Sequence, residues 1–412
     1  MRNSRDALAT RRPDRHGRGP SSEPCRPIVA ASPENSADPA LDARFMALAL
    51  ALGRRGLGNT WPNPAVGAVV VRFDGGTPRI VGRGWTQPGG RPHAETEALK
   101  RAGDFSRGAT LYVTLEPCSH HGKTPPCVDA IRAAGIARVV SAIEDPDTRV
   151  AGRGHTILRD AGIVVDIGVG AAEAFAAHAG HIRRVLEGRP HVTLKMALSA
   201  DGKVALAGRR PVAITGAAAN ARVHLMRAMH DAILIGIGTA LADDPLLTCR
   251  LPGLFPRSPV RVVMDATLRL PPTSRLVATA RETPLWIVTR PDAPADAVAR
   301  LREAGAHLIH VAPAETGPGV DPAAALRALG GLGITRLLIE GGPTVAAALS
   351  RVDLIDAAVL LHGPLVIGPD GVDPLEGLPL AALTAGPALA LQATEMLGPD
   401  RLDAYTRRAA CL

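Results

Sequence analysis

Apolar residues recur at helical spacing over residues 42–55 and stop before Gly56 and Gly58, which predicts an opening helix. The run AVGAVVVRF over 65–73 predicts a strand, with 79–84 as its hairpin partner across Gly75-Gly76. Beyond it the pattern predicts a helix over 93–102, a strand over 109–115, a helix over 126–134, a strand over 139–143, a helix over 155–160 and a strand over 163–167. Such alternation predicts an α/β sandwich. A long helix over 171–186 stops at Gly188-Arg189-Pro190, and a fresh strand follows over 191–198. The domain boundary falls there, dividing 41–188 from 189–412. The second half alternates again, with strands over 232–235, 260–264, 285–288 and 337–339, and two extended segments over 388–395 and 402–406 that close the sheet. Residues 1–40 are rich in Arg, Pro, Ser and Asp without apolar period and predict a disordered extension.

Composition narrows the function classes. A chain of 412 residues that is 46% hydrophobic and 21% charged has material for two packed domains. The net charge of +8 comes from 43 Arg and only four Lys, with no dense basic run, and the rings number only five Phe, three Trp and two Tyr. Base-stacking platforms need exposed rings, so a nucleic-acid partner is not expected. The longest apolar runs are too short to cross a bilayer, no signal-peptide pattern is evident, and five sparse cysteines are no disulfide framework. These features predict a cytoplasmic chain with no membrane partner.

The chemistry begins at His93-Ala94-Glu95, followed by Pro117-Cys118 and by Cys127. His93, Cys118 and Cys127 supply three ligands and leave a fourth tetrahedral position open, as a catalytic zinc requires. Water in that position becomes a usable nucleophile near neutral pH. Glu95, two residues past the histidine, is placed to carry the proton, and the pattern is that of zinc deaminases. His93 follows Pro92 at a helix start, and each cysteine follows a proline expected to open a helical turn, where thiolates are favoured. A lone His or Cys is usually a cap or a small buried residue; three with a placed Glu are not. Eight residues separate the cysteines, including Gly122-Lys123-Thr124. That triplet is no P-loop, because position 117 is Pro rather than Gly.

The second half is less decisive. Lys195, Ser199, Asp201-Gly202 and Lys203 cluster after its first strand. Ile235-Gly236-Ile237-Gly238-Thr239 lacks the third glycine of a dinucleotide fingerprint. Glu340-Gly341-Gly342-Pro343-Thr344 joins a strand to a helix, where backbone amides can meet a phosphate, although such a glycine pair is more often a tight turn.

The run TLEPCSHHGKTPPC, the preceding HAE and the upstream NPAVG (63–67) resemble the bifunctional deaminase/reductases of riboflavin biosynthesis, as do SADGK, LADDP and EGGPT in the second half. The resemblance covers about Met46 to the C-terminus. It implies a cytidine-deaminase-like α/β/α sandwich followed by a dihydrofolate-reductase-like α/β domain that uses NADPH. It implies hydrolytic deamination of a phosphoribosylamino-diaminopyrimidinone, then reduction of the ribosyl arm to ribityl, on small-molecule substrates and in a homo-oligomer. Carried over by position, Asn63 and Lys123 face the deaminase substrate, with His120 a weaker candidate. Ala197, Thr239, Asp243 and the segment Gly342, Pro343, Thr344, Val345, Ala346, Ala347 and Ala348 line the cofactor; Arg227, Leu247, Arg250 and Glu340 contact the reductase substrate. The chain departs from the family at Pro211 and Ala213, where a polar residue and a Trp are usual, and at Ala266, where a hydroxyl is usual. A nucleic-acid base deaminase and a protein with a degenerate reductase half are the competing readings.

Overall fold

A computed structural model describes residues 38–73, 77–122, 124–148, 150–315 and 317–408. Helix α1 (Pro39–Gly53) begins inside the stretch expected to be disordered, because Asp38 accepts the Ala40 amide and Pro39 fills the first turn. Residues 1–37 of that expected extension, and the Gly75-Gly76 turn, lie outside the described residues.

The first sheet has the order β2-β1-β3-β4-β5. It is built from β1 (Gly67–Arg72), β2 (Arg79–Trp85), β3 (Thr110–Val113), β4 (Arg138–Ser141) and β5 (Val164–Ile167). β1 runs antiparallel to both neighbours, whereas β3, β4 and β5 are parallel. Helices α2 (Ala94–Ala102), α3 (Cys127–Ala133) and α4 (Arg153–Asp160) supply the connections. β1 is buried on both faces, so it reads as a continuous apolar run rather than an alternating one.

The helix expected over 171–186 is two helices, α5 (Ala171–Ala177) and α6 (Ala179–Glu187), which meet at His178. Tertiary packing overrides the periodicity here. The buried His178 ring meets Thr114 Oγ1 at 3.0 Å, and Gly180 abuts the Thr335 carbonyl so closely that a Cβ would lie 2.7 Å from its oxygen. The break lets α5 pack on α1 while α6 packs on the first strand of the next sheet.

That second sheet has nine strands in the order β10-β9-β8-β7-β11-β6-β12-β14-β13. They are β6 (His191–Leu198), β7 (Ala232–Gly236), β8 (Val260–Met264), β9 (Leu285–Thr289), β10 (His307–His310), β11 (Arg336–Glu340), β12 (Ala357–His362), β13 (Leu389–Leu397) and β14 (Asp400–Arg407). Its helices include α7 (Ala217–Ala228), α8 (Ile237–Asp243), α9 (Arg275–Ala278), α10 (Ala295–Glu303), α11 (Pro322–Gly331) and α12 (Pro343–Arg351). β6 to β12 are mutually parallel, and β14 and β13 add an antiparallel hairpin. The two C-terminal strands therefore extend the sheet rather than close it, and β13 is a mostly exposed edge. β10 and β12 are absent from the sequence-based expectation. β10 is only four residues with a histidine at each end, and β12 is a buried apolar run whose period does not separate strand from helix.

The chain leaves β7 towards β8 and leaves β11 towards β12, in opposite directions. Parallel sheets open a crevice at such a switch point, outside the carboxyl ends of the strands. Gly236 and Glu340 end those two strands.

The two sheets meet through specific contacts. Trp61 stands edge-on to Trp286 with ring centroids 6.2 Å apart, and Arg336 Nη2 donates to the carbonyls of Ala176 and Ala177. Burial at this junction drives His178 down to about 3 and His230 to about 4. Unfolded, each binds a proton near pH 6.5, so their contribution is whole above that pH and is lost as pH falls towards the folded values. Each should cost about 1.4 kcal/mol per pH unit over that interval. Calorimetric Tm should therefore fall steadily from pH 6.5 to 4.5; a flat profile would remove these histidines from the acid response.

Candidate active sites

The first site forms where α2, the segment after β3 and α3 converge. His93 precedes α2 with extended backbone, and its Nδ1 lies 3.3 Å from Cys127 Sγ and 3.6 Å from Cys118 Sγ. The three donor atoms all fall within 4.8 Å of one another. Zinc–sulfur bonds of about 2.3 Å and zinc–nitrogen bonds of about 2.0 Å at tetrahedral angles require donor separations of this size. One nitrogen and two sulfurs are also the donor types zinc prefers, so the residues fit the ion. Cys127 opens α3 as expected, and its amide donates to Cys118 Sγ at 3.3 Å. Cys118 itself lies in an irregular segment, not at the start of a helical turn. Its thiolate is stabilised by that neighbour's hydrogen bonds instead of by its own helix.

Hydrogen bonding, from the Cys127 thiol foremost, holds Cys118 down to about 4, while the contact with Cys118 and burial push Cys127 up. Burial also raises the Glu95 carboxyl, and the contact with Cys118 raises the His93 imidazole. Glu95 is the second residue of α2 and is buried, and its carboxyl lies close enough to Cys127 to help push that thiol up. It thus reaches the metal pocket beside the ligands.

Asn63 donates from Nδ2 to the Gly90 carbonyl at 2.8 Å, which seats it under the turn leading to His93. Gly90 has φ 84°, and a Cβ there would lie 2.6 Å from Asn63 Nδ2. His120 is exposed on the inter-cysteine segment, and Lys123 lies outside the described residues. Two residues that the motif reading passed over shape the site. Glu116 accepts the amides of Asp145, Gly152 and Gly154 at 3.1, 2.9 and 2.8 Å, locking the chain just before Cys118. Arg91 hydrogen-bonds Thr124 and so ties the His93 approach to the inter-cysteine segment. Glu116 was visible inside TLEPC, but nothing local shows that an acid will face three amides 29, 36 and 38 residues downstream.

The second site occupies the β7/β11 switch point. Thr239, in the first turn of α8, faces the turn before α12: a Cβ on Gly342 would meet Thr239 Oγ1 at 3.0 Å. Gly341 and Gly342 have φ 83° and 77°, a left-handed pair that side chains disfavour. Val345 sits opposite Gly236, where a Cβ would come within 2.9 Å. Thr239 and the 342–348 segment expected to line the cofactor are therefore adjacent. Ala197 is on β6 opposite Leu361, and Asp243 ends α8.

Arg227 and Glu340, 113 positions apart, form a bidentate pair at 2.6 and 2.7 Å, and Arg227 Nη1 donates to the Thr248 carbonyl at 3.0 Å. Arg227 holds the Glu340 carboxyl below its ordinary range against the opposing effect of burial. Lys195 pairs with Glu340 in the β6/β11 register, and burial lowers its pKa. Leu247 is buried with φ 56°, on the segment that brings Thr248 to Arg227. Arg250 is exposed, and its guanidinium has no ion-pair partner among the described residues. Of the two arginines expected at the substrate, one has its fork engaged by a buried carboxylate and the other has none.

Comparison with known proteins separates the two halves in the same way. A model of the cytidine and deoxycytidylate deaminase zinc-binding region matches residues 39–143, and a model of the RibD C-terminal domain matches residues 190–402. The riboflavin biosynthesis protein RibD of Escherichia coli is 40% identical over 373 residues, covering 87% of this chain and 97% of that protein. The chain belongs to the RibD family of bifunctional deaminase/reductases. RibD of Mycobacterium tuberculosis is 38% identical over 369 residues, covering 88% of this chain and 96% of its own length. The solved structure of Acinetobacter baumannii RibD superposes with a TM-score of 0.79 at 32% identity, covering 90% of this chain and all of that one. A Thermotoga maritima diaminohydroxyphosphoribosylaminopyrimidine deaminase/5-amino-6-(5-phosphoribosylamino)uracil reductase gives 0.77 at 33% identity with the same coverage. The architecture is thus that of RibD, a cytidine-deaminase-like domain with a zinc-binding site followed by a reductase domain that uses NADPH. Among the described residues no helix is long and apolar enough to cross a membrane.

Proposed function

We propose that residues 41–188 deaminate 2,5-diamino-6-(5-phosphoribosylamino)pyrimidin-4-one and that residues 189–412 then reduce the ribosyl arm of 5-amino-6-(5-phosphoribosylamino)uracil to ribityl. These are consecutive steps of riboflavin biosynthesis, the activity of the RibD family. The observation that carries the reading is the His93, Cys118 and Cys127 cluster with buried Glu95 beside it.

His93, Cys118 and Cys127 would hold the zinc, which supplies the Lewis acidity that makes water a nucleophile near neutral pH. Glu95 takes the proton of the attacking water on a carboxylate oxygen and passes it to the departing ring amine. Water adds to the ring carbon, the C–N bond breaks, and ammonia leaves with that proton. Burial of Glu95 keeps bulk solvent from shortcutting the transfer. Asn63 and Lys123 orient the pyrimidine.

In the second domain Ala197, Thr239, Asp243 and the 342–348 segment would hold NADPH, which supplies the hydride when bound. The left-handed glycine pair opens the backbone for a phosphate at the start of α12. Arg227 orients Glu340 towards the ribosyl hydroxyls, and Leu247 packs beside them. Arg250, without an acidic partner among the described residues, meets the substrate phosphate in a charge-assisted fork.

The test is direct. Protein purified without chelator should hold about one zinc per chain, and supplying the deaminated uracil substrate should oxidise NADPH. Metal-free protein after mild purification would end the deaminase assignment, and silent NADPH absorbance would end that of the reductase.

A further inference from the structure

The start of α12 is guarded by two side chains that the assignment above does not use. Arg209 Nη1 lies 3.4 Å from Thr344 Oγ1, and Arg209 Nη2 pairs with Glu376. Thr344 Oγ1 donates in turn to Glu376 Oε1 at 2.8 Å. A guanidinium, a hydroxyl and a carboxylate thus form a closed triangle beside the turn expected to take a cofactor phosphate.

Arg209 holds this place at a cost to its backbone. Gly208 and Arg209 are consecutive left-handed residues with φ 70° and 62°. Glycine would adopt the second conformation freely, whereas arginine is strained there, and strain of this kind points to what the side chain does. The segment bearing Glu376 is fixed at its backbone. Asp201 accepts the amides of Ile367 and Gly368 at 3.0 and 2.7 Å, Leu375 is fully buried, and Arg351 Nη2 donates to the Glu376 carbonyl at 2.9 Å. Only the side chains are left to move. Arg209 is 54% exposed and Glu376 28%, and ion pairs so exposed to water contribute little stability and exchange partners readily.

We propose that Arg209 is a phosphate-gripping residue for the dinucleotide cofactor, held in register by Glu376 until the cofactor arrives. A phosphate presents the planar fork with more negative charge and more acceptor oxygens than one carboxylate. When phosphate binds at the start of α12, Arg209 exchanges Glu376 for it, and the Thr344 hydroxyl is released to donate to the same oxygens. Glu376 is thus an internal competitor that weakens cofactor binding while keeping Arg209 out of solvent-borne orientations.

This inference rests on the assignment of NADPH to the α12 turn, so the experiment separates the two. Full-length, zinc-loaded protein is titrated with NADPH, and separately with NADH, by calorimetry without substrate. Arg209→Gly, which also relieves the backbone, should weaken NADPH binding about tenfold. Glu376→Gln should tighten it about two- to fivefold, and should tighten it less in the Arg209→Gly background, where only the Thr344 hydroxyl is left to release. A loss confined to NADPH places the 2′-phosphate in the fork; an equal loss with NADH places the pyrophosphate there, and either supports the proposal. Unchanged NADPH affinity in Arg209→Gly, with Tm not lowered, would overturn it while leaving the reductase assignment intact. Weaker binding in Glu376→Gln would overturn the competitor role. Wild-type protein that binds no NADPH would overturn the cofactor assignment and this inference with it.

Discussion

Glu95→Gln is expected to keep its zinc and lose deamination by about a thousandfold. Glutamine has nearly the shape of glutamate, and Glu95 is not one of the three ligands, so the geometry around His93, Cys118 and Cys127 should survive. What it cannot do is take a proton from water at neutral pH. Burial of the Glu95 position hinders the simplest rescue, by a buffer base taking over the vacated role. Elemental analysis should therefore find wild-type metal content, and ammonia release should fall to near background. The second domain supplies an internal control. NADPH oxidation on the deaminated uracil substrate should stay within a factor of about two of wild type, since Glu95 and the crevice residues share no contact among those described. Turnover within about tenfold of wild type would remove Glu95 from the proton path. Loss of zinc together with activity would make it a structural support of the ligands.

The two sites were not equally legible in the sequence. The metal site was, because a His, a Glu two residues on and two Pro-Cys pairs are local signals whose residue types already exclude most other uses. Even there the sequence misjudged Cys118, which has no helix of its own and relies on the amide and thiol of Cys127. The crevice was legible only by resemblance, since its parts come from β6, α7, α8, the segment after it, β11 and α12. No local pattern announces that Arg227 will meet Glu340 across 113 residues, or that Lys195 will stand next to Glu340 in register. Lysine scarcity was the nearest signal, since two of the four lysines lie in the segment that includes β6. At the level of the fold, the strands with strong β-branched runs were legible. The break at His178 was not, because helical periodicity continues through it and only the contacts with Thr114 and Thr335 make the chain turn.

Arg227→Met should silence the reductase while sparing the deaminase. Methionine keeps the length and much of the packing of the arginine stem but removes all three donors that now serve Glu340 and the Thr248 carbonyl. The Glu340 carboxylate is then buried without its fork, and leaving a buried charge unpaired costs far more than an exposed pair is worth. Lys195 is the remaining cation, and its pull would draw the carboxylate out of the crevice and towards β6. Protonation is the other relief, because Glu340 loses the partner that kept its pKa low. Either outcome displaces the group proposed to meet the ribosyl hydroxyls, so reductase kcat/KM should fall about a hundredfold. The pH profile tells the two apart. If Glu340 protonates, its folded pKa has risen, so activity should return in part as pH is raised; if it has swung to Lys195, raising the pH should not help. Ammonia release should be unaffected, so the variant given the diaminopyrimidinone should accumulate the uracil intermediate, readable by chromatography. Wild-type NADPH oxidation in a folded Arg227→Met protein would sink the positioning role and leave Arg227 as packing alone.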